Sequence, residues 1–391
     1  MRADRRRLLQ GAVLALAASR SAAAAGGELR LVRSGDIGAL LAVPAVLGAR
    51  RGWWLVDSGA SSALVSPAVA RELDLPVVGR SRIATVGGVT SVDRVALPAL
   101  EVLGDAIGGA QALALDLASA FAGLGLAFDG VLAAAQLRPR RLHLDLARGT
   151  ASWISDAAVP GTGVPIRWDS GLPTVELRLG NLAPERFLLD TGNAGGLVVF
   201  AHRASALLAA NPGLPGSRAD ELGGTVRAQH ALVDRVEIGG HRFGRVPAAL
   251  ETAMAGRRGG IFDRLSGSLG VALFDGLRLT LDGPGSTWAI DGLGDGRPRE
   301  VSGGFGLGVA AQGADLEVRQ VIEGSPAHAA AVRPGDRILA ADGQPTAGWS
   351  APMLWTHAHG RERLTLALRT GDAPPREVAL ARASFLPVLS L

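Results

Sequence analysis

The chain has 391 residues, 48% of them hydrophobic, with 40 basic residues against 36 acidic ones and no cysteine. That length exceeds one ordinary domain and gives two or three compact units, and the lack of cysteine excludes disulfides, thiolate metal sites and a cysteine nucleophile. The basic residues are all Arg and, beyond the N-terminus, scattered; with a net charge of only +4 nothing favours a nucleic-acid partner.

At the N-terminus Arg5-Arg6-Arg7 precede the apolar run Leu8 to Ala18 and the small-residue stretch Ser21 to Ala25. A basic region, a short apolar core and an Ala-x-Ala type of site read as a secretory signal peptide over residues 1–25, too short to span a membrane. Asp4 to Gln10 resembles a twin-arginine export signal, and an ordinary secretion signal that contains Arg fits as well. Either route gives a mature chain that starts near Ala25 and works in the periplasm or outside the cell. No later segment reaches the roughly 18 uninterrupted apolar residues that a membrane helix needs.

From Leu29 to Val46 and from Trp53 to Val56 short apolar stretches broken by Gly and Pro read as strands. The second delivers Asp57-Ser58-Gly59-Ala60 into a tight turn. Ser66 to Leu75 reads as a short helix: Ser66-Pro67 is an N-cap and first-turn pair, and Val69, Leu73 and Leu75 share a face. Strands resume over Val77 to Leu115, with turn signals at Gly79, Gly87-Gly88, Gly104-Asp105 and Gly108-Gly109. The Pro- and Gly-rich stretch Val159 to Gly163 marks a boundary. Beyond it the scheme repeats: an apolar strand delivers Asp190-Thr191-Gly192-Asn193, and Phe200 to Ala210 reads as a helix ended by Asn211-Pro212-Gly213.

The repetition is internal duplication. Asp57 and Asp190 are 133 positions apart; Val86-Gly87-Gly88-Val89 and Leu222-Gly223-Gly224-Thr225 are 136 apart; Asp129-Gly130-Val131-Leu132 and Ser266-Gly267-Ser268-Leu269 are 137 apart. Leu142 to Asp145 and Leu279 to Asp282 keep that last offset, and each is followed by a Trp, Trp153 and Trp288.

The doubled hydrophobic-hydrophobic-Asp-[Ser/Thr]-Gly turn, with its later apolar-Gly landmark, resembles the retroviral-type and pepsin-like aspartic proteases; Leu55 to Ser62 is most similar to bacterial retropepsin-like domains. The resemblance implies a mainly β, bilobal acid-protease fold, with one lobe over 28–158 and a second over 164–291. It implies Asp57 and Asp190 as a catalytic dyad that activates a water, one carboxylate as base and the other, protonated, on the scissile carbonyl. Ser58 and Thr191 would tie the two loops together, and Gly59 and Gly192 would let the carboxylates approach. Val86, Gly87, Gly88, Gly223 and Gly224 fall where the family carries substrate-covering flaps, although such glycine pairs equally suit ordinary hairpin turns. The chain departs from the pattern in three ways: it has no Tyr for a pepsin-type flap, Asn193 follows the second triplet where Ala60 follows the first, and Ala133 stands opposite Gly270. Each Asp taken alone also fits a solvated turn. A non-catalytic peptide-binding scaffold on a degenerate protease fold is therefore the alternative to an aspartic endopeptidase. Tandem copies in one chain make a monomer sufficient, and neither cofactor nor metal is implied.

After a Gly-, Asp- and Arg-rich boundary at Gly292 to Pro298 the pattern changes. Phe305-Gly306-Leu307-Gly308-Val309, Gly324-Ser325-Pro326-Ala327, Pro334-Gly335-Asp336-Arg337-Ile338 and Asp342-Gly343 resemble a PDZ domain over 301–381. By that resemblance Gly306, Leu307, Gly308 and Val309 present backbone N–H groups to a peptide C-terminal carboxylate, the peptide adding as a strand; a packing module with an empty groove is the other reading. His357-x-His359 falls on the expected PDZ helix without a carboxylate partner and reads as a surface pair, and no membrane or nucleic-acid partner is implied beside a protein or peptide substrate.

Overall fold

The structure, a computed structural model, describes residues 26–391 except 36–37, 86–87, 109–110, 122–123, 125, 156–158, 160, 222–223, 253–260, 294–298 and 301–302. The expected signal peptide, and Val86, Gly87 and Gly223 of the expected flaps, lie outside the described residues. What is described is mainly β.

Two sheets carry the duplication. In the first, the spatial order is Val77–Thr85, Gly88–Ala96, Gln111–Ala114, Ala63–Val65, Gly130–Ala133, Arg50–Asp57, Leu40–Leu47. In the second it is Gly216–Glu221, Gly224–Ile238, His241–Glu251, Leu197–Val199, Gly267–Leu269, Glu185–Leu189, Leu172–Leu179. The directions match as well as the order. Gly130–Ala133 runs parallel to Arg50–Asp57 as Gly267–Leu269 does to Glu185–Leu189, and Gln111–Ala114 runs parallel to Ala63–Val65 as His241–Glu251 does to Leu197–Val199. The crossing strand in each lobe starts on a glycine because the neighbours leave no room for a side chain. A Cβ on Gly130 would collide with the Trp54 ring, and one on Gly267 would lie 2.8 Å from the Phe187 ring.

The first helix, Pro67–Glu72, has Ser66 Oγ accepting from Ala68 N (3.3 Å) and Pro in its first turn. It stops short of Leu75 because Asp74 takes a left-handed φ of 47° and the Leu75 N–H reaches back to Ala70 O (2.9 Å), a Schellman ending. The second-lobe helix is Ala201–Ala210.

A third, six-stranded sheet joins the lobes. Its centre is Arg141–Asp145 against Arg278–Asp282, antiparallel with His143 opposite Thr280, and His143 Nδ1 lies 2.9 Å from Thr280 Oγ1. The two repeated Leu-x-Leu-Asp segments are thus partners across the pseudo-twofold, each flanked by its Trp strand, Thr150–Trp153 and Thr287–Asp291. One continuous apolar core, including Val56, Leu142, Leu281 and Phe274, runs through both lobes.

The C-terminal unit has its own sheet, ordered Leu307–Gln312, Asp315–Val321, Arg337–Ala341, Arg363–Arg369, Arg376–Ala381, and its own core around Phe305, Leu316, Ile338, Trp355 and Leu366. Past Ala381 the chain returns to the second lobe. Leu389 N donates to Leu232 O and Leu232 N to Pro387 O, both 2.8 Å, while Asn211 Oδ1 accepts from Ser390 N (2.9 Å). Leu389 is buried in the two-lobe core. A second contact gathers at Asp275 of the second lobe: Arg33 of the first lobe makes a two-pronged ion pair with it (3.1 and 3.2 Å), and His359 of the C-terminal unit lies 3.6 Å from the same carboxylate.

Candidate active site

Each functional loop begins where an apolar strand runs out. Leu55 and Val56, and Leu188 and Leu189, are buried strand residues, so the next residue of each strand meets its counterpart at the lobe interface. There each carboxyl faces the opposite loop, Asp190 lying against Gly59 and Asp57 against Gly192, and the Asp190 side chain acts on Asp57 as a hydrogen-bonding neighbour. Asp57 Oδ1 accepts from Gly59 N (2.8 Å) and Ala60 N (2.9 Å), and Asp190 Oδ1 accepts from Gly192 N (3.0 Å). Burial pushes the Asp57 carboxyl above its ordinary range, opposed by the Ala60 and Gly59 N–H groups and by Asp190. The outcome is a carboxyl that resists losing its proton next to another carboxyl, the arrangement in which two acids hold one proton between them.

Four hydrogen bonds lock the loops together. Ser58 Oγ donates to Leu189 O (2.7 Å) and accepts from Thr191 N (3.0 Å); Thr191 Oγ1 donates to Val56 O (2.7 Å) and accepts from Ser58 N (2.9 Å). The set is symmetric, and Ser58 is fully buried. Gly59 and Gly192 sit against the opposite carboxyl: a Cβ on Gly59 would lie 2.6 Å from Asp190 Cγ, and one on Gly192 would lie 2.5 Å from Asp57 Cγ. Only glycine leaves the two carboxyls this close.

The remaining expected site residues are distributed around this centre. Gly88 opens the strand Gly88–Ala96, paired with Thr85, and Gly224 opens Gly224–Ile238, paired with Glu221, so Gly88 and Gly224 each open the second strand of a hairpin. Gly306, Leu307, Gly308 and Val309 are in the C-terminal unit, not at the dyad. Gly306 has φ of 76°; its O accepts from Ile322 N (2.8 Å) and Ser325 Oγ (3.3 Å). Leu307 is buried, whereas Gly308 and Val309 are half-buried on Leu307–Gln312, the strand at one end of its sheet. Contrary to expectation both histidines have a carboxylate beside them, because the fold brings distant turns to the helix end: His357 pairs with Asp342 at 2.9 Å, holding the Ala351–Ala358 helix to a turn, and His359 lies 3.6 Å from Asp275. Among the described residues no group of three His, Asp or Glu side chains is placed to hold a metal ion, and no helix is long and apolar enough to cross a membrane.

Sequence reasoning missed three contacts: the Asn193–Ser268 hydrogen bond, the Arg33–Asp275–His359 node and the return of the tail. The tail carried a signal, the apolar run Phe385 to Leu389 beyond the last repeat of the C-terminal pattern.

An "Aspartyl protease" family model matches residues 43–134, and a "PDZ domain" model matches residues 317–352. No curated protein matches the chain. Among solved structures the chain is similar to a photosystem II D1 C-terminal processing protease, with 26% identity over 22% of this chain and 24% of that one (TM-score 0.20). It is also similar to the PDZ domain of a carboxy-terminal protease from Vibrio cholerae, solved with a peptide, with 22% identity over 21% of this chain and 93% of that one (TM-score 0.19). The chain thus spans about a quarter of the processing protease. The class defined is a β-rich aspartyl-protease-type fold. More particularly, an aspartyl-protease domain at 43–134 followed by a PDZ domain at 317–352 matches the arrangement of a retropepsin-like protease with a C-terminal PDZ domain.

Proposed function

We propose that the chain is an exported aspartic endopeptidase in which Asp57 and Asp190 share one proton and activate a water. The observation that carries this reading is the meeting of two carboxyls, one from each lobe, on loops tied by Ser58 and Thr191. In the reaction the ionised carboxylate takes a proton from water as its oxygen attacks the scissile carbonyl, while the protonated partner donates a hydrogen bond to the carbonyl oxygen. Collapse of the tetrahedral intermediate breaks the C–N bond, and the proton passes to the leaving amine. Both carboxyls come from one chain, so a monomer completes the site.

The PDZ domain supports peptide binding. In our reading the Gly306 to Val309 loop holds a C-terminal carboxylate and the end strand Leu307–Gln312 accepts the peptide backbone, so the domain recruits a protein substrate or gates the cleft. Residues 1–25 direct export, and the mature chain begins near Ala25.

Asp57→Asn and Asp190→Asn are each expected to abolish cleavage of an unfolded protein substrate between acidic and neutral pH. Full activity in either variant overturns the shared dyad. Gly308→Asp, which sets a negative charge beside the carboxylate loop, is expected to weaken peptide binding to the PDZ domain while hydrolysis of short peptides continues. Export is checked by the N-terminal sequence of protein recovered outside the cytoplasm.

A further inference from the structure

Strand register aligns the two lobes residue by residue and isolates where they differ beside the dyad. Val131 stands opposite Leu55, two residues before Asp57, and Ser268 stands opposite Leu188, two residues before Asp190. The residue after each triplet is fixed to its crossing strand by the same backbone bond: Ala134 N to Ala60 O and Val271 N to Asn193 O, both 2.9 Å. Side chains differ at three of these matched places. In the first lobe Ala60 packs on the apolar cluster that contains Val131, and Ala133 follows Leu132. In the second, Asn193 Nδ2 donates to Ser268 Oγ (3.1 Å), Asn193 Oδ1 accepts from Gly195 N (2.9 Å), and Gly270 replaces the alanine. Gly270 is required by its neighbours, since a Cβ there would collide with the backbone oxygens of Gly195 and Asn193 and would lie 2.6 Å from Asn193 Cγ.

The three differences fit one another. A longer polar side chain is matched by a hydroxyl partner inside the strand, the absent Cβ at Gly270 makes room for the backbone of Gly195 and Asn193 as well as for the amide, and Ser268 is only 4% exposed, so water does not take the place of Asn193. Both ends of the Asn193 amide are used within its own lobe. Random decay of a second active-site loop would leave unmatched changes, whereas this set is complementary.

We infer that Asn193 and Ser268 are a positioning pair for Asp190: their hydrogen bond holds the second loop on the strand Gly267–Leu269 and so sets the spacing of the two carboxyls, work done in the first lobe by apolar packing of Ala60. The inference rests on the proposed dyad and names what keeps its second half in place. A loop free to shift by a fraction of an ångström weakens proton sharing, because that interaction falls steeply with separation, and misplacement of about 1 Å costs up to about 100-fold in rate.

The test uses the full chain with Asn193→Ala, with Ser268→Ala, and with Asn193→Ala/Ser268→Val, which copies the first lobe's side chains. Two quantities are read: kcat and KM on a peptide, and the 13C carboxyl titrations of Asp57 and Asp190, assigned with the Asp→Asn variants. For Asn193→Ala we expect kcat to fall about tenfold with KM within about twofold, and the two titration steps of the dyad to draw together. Ser268→Ala shifts both in the same direction and by less, since the Gly195 bond survives; the double variant moves both back toward wild type. A purely structural role would lower the melting temperature and leave the titrations in place. Folded single variants with unchanged titrations overturn the inference, and so does a shift that the double variant fails to reverse. If the wild-type chain hydrolyses no peptide, the proposed activity fails, and the titrations still decide the pair.

Discussion

Replacing Ser58 by Ala removes one hydroxyl from a fully buried position between the lobes and leaves two backbone groups, Leu189 O and Thr191 N, without the partner that each has there. A typical internal hydrogen bond is worth about 0.5–1.5 kcal/mol net, and a buried polar group left unsatisfied costs about 1–3 kcal/mol. Two such groups give about 2–6 kcal/mol, and partial relaxation of the loops sets the expected loss near 3 kcal/mol. The conservative control is Thr191→Ser, which loses a methyl but keeps the hydroxyl that donates to Val56 O and accepts from Ser58 N; it should cost less than about 1 kcal/mol. The measurement is denaturant unfolding followed through the two lobes. The C-terminal unit has a separate core, so its transition serves as an internal reference. A loss below about 1 kcal/mol for Ser58→Ala, or an equal loss for Thr191→Ser, would refute the claim that these hydroxyls close the interface.

Gly59→Ala places a Cβ 2.6 Å from Asp190 Cγ and must push the carboxyls apart; kcat should fall about 100-fold, and unchanged kcat in a folded variant counts against the steric argument. Asp57 has a carboxyl raised above its ordinary 3.8 by burial, so the folded state holds that proton more tightly than the unfolded chain does. Its contribution to stability is then full below about 3.8 and is lost as pH rises from there through the raised value. Asp57→Asn, which cannot ionise, should therefore gain on wild type as pH rises through that window, and parallel stability–pH curves would contradict this. Leu389→Ala should cost about 2–4 kcal/mol, because Leu389 is 5% exposed within the two-lobe core; accelerated proteolysis of the tail with unchanged melting of the C-terminal core is the expected pattern.

The sequence displayed the duplication because the chemistry that repeats is local. An Asp after apolar strand residues, a small hydroxyl and a glycine are each required at one place, and the matching Leu-x-Leu-Asp segments proved to be partners across the pseudo-twofold. Helix Pro67–Glu72 was legible from Ser66-Pro67, but its end was not, because Asp74 takes the left-handed conformation more often supplied by glycine. Asn193 read as a defect since its partner lies 75 positions away in a strand whose inward face cannot be judged without the register. The tail was overlooked for a related reason: Leu389 bonds to Leu232 through the backbone and joins the two-lobe core, a contact no periodicity encodes.

The bonds that close the lobe interface also set the register of the dyad. Ser58 Oγ reaches the carbonyl of Leu189 and Thr191 Oγ1 that of Val56, the residues immediately before Asp190 and Asp57. Any slide of one lobe along the other changes the distance between the carboxyls and strains these bonds together, so interface stability and carboxyl spacing are one structural quantity. Across Ser58→Ala, Thr191→Ala, Ser58→Thr and Thr191→Ser, activity should therefore fall in step with the stability of the lobe interface. Substitutions inside the C-terminal core, such as Leu316→Ala, should lower that unit's melting and leave the relation untouched. A variant with a weakened Ser58–Thr191 set and full activity would show that the carboxyls are held by something other than the loops that carry them.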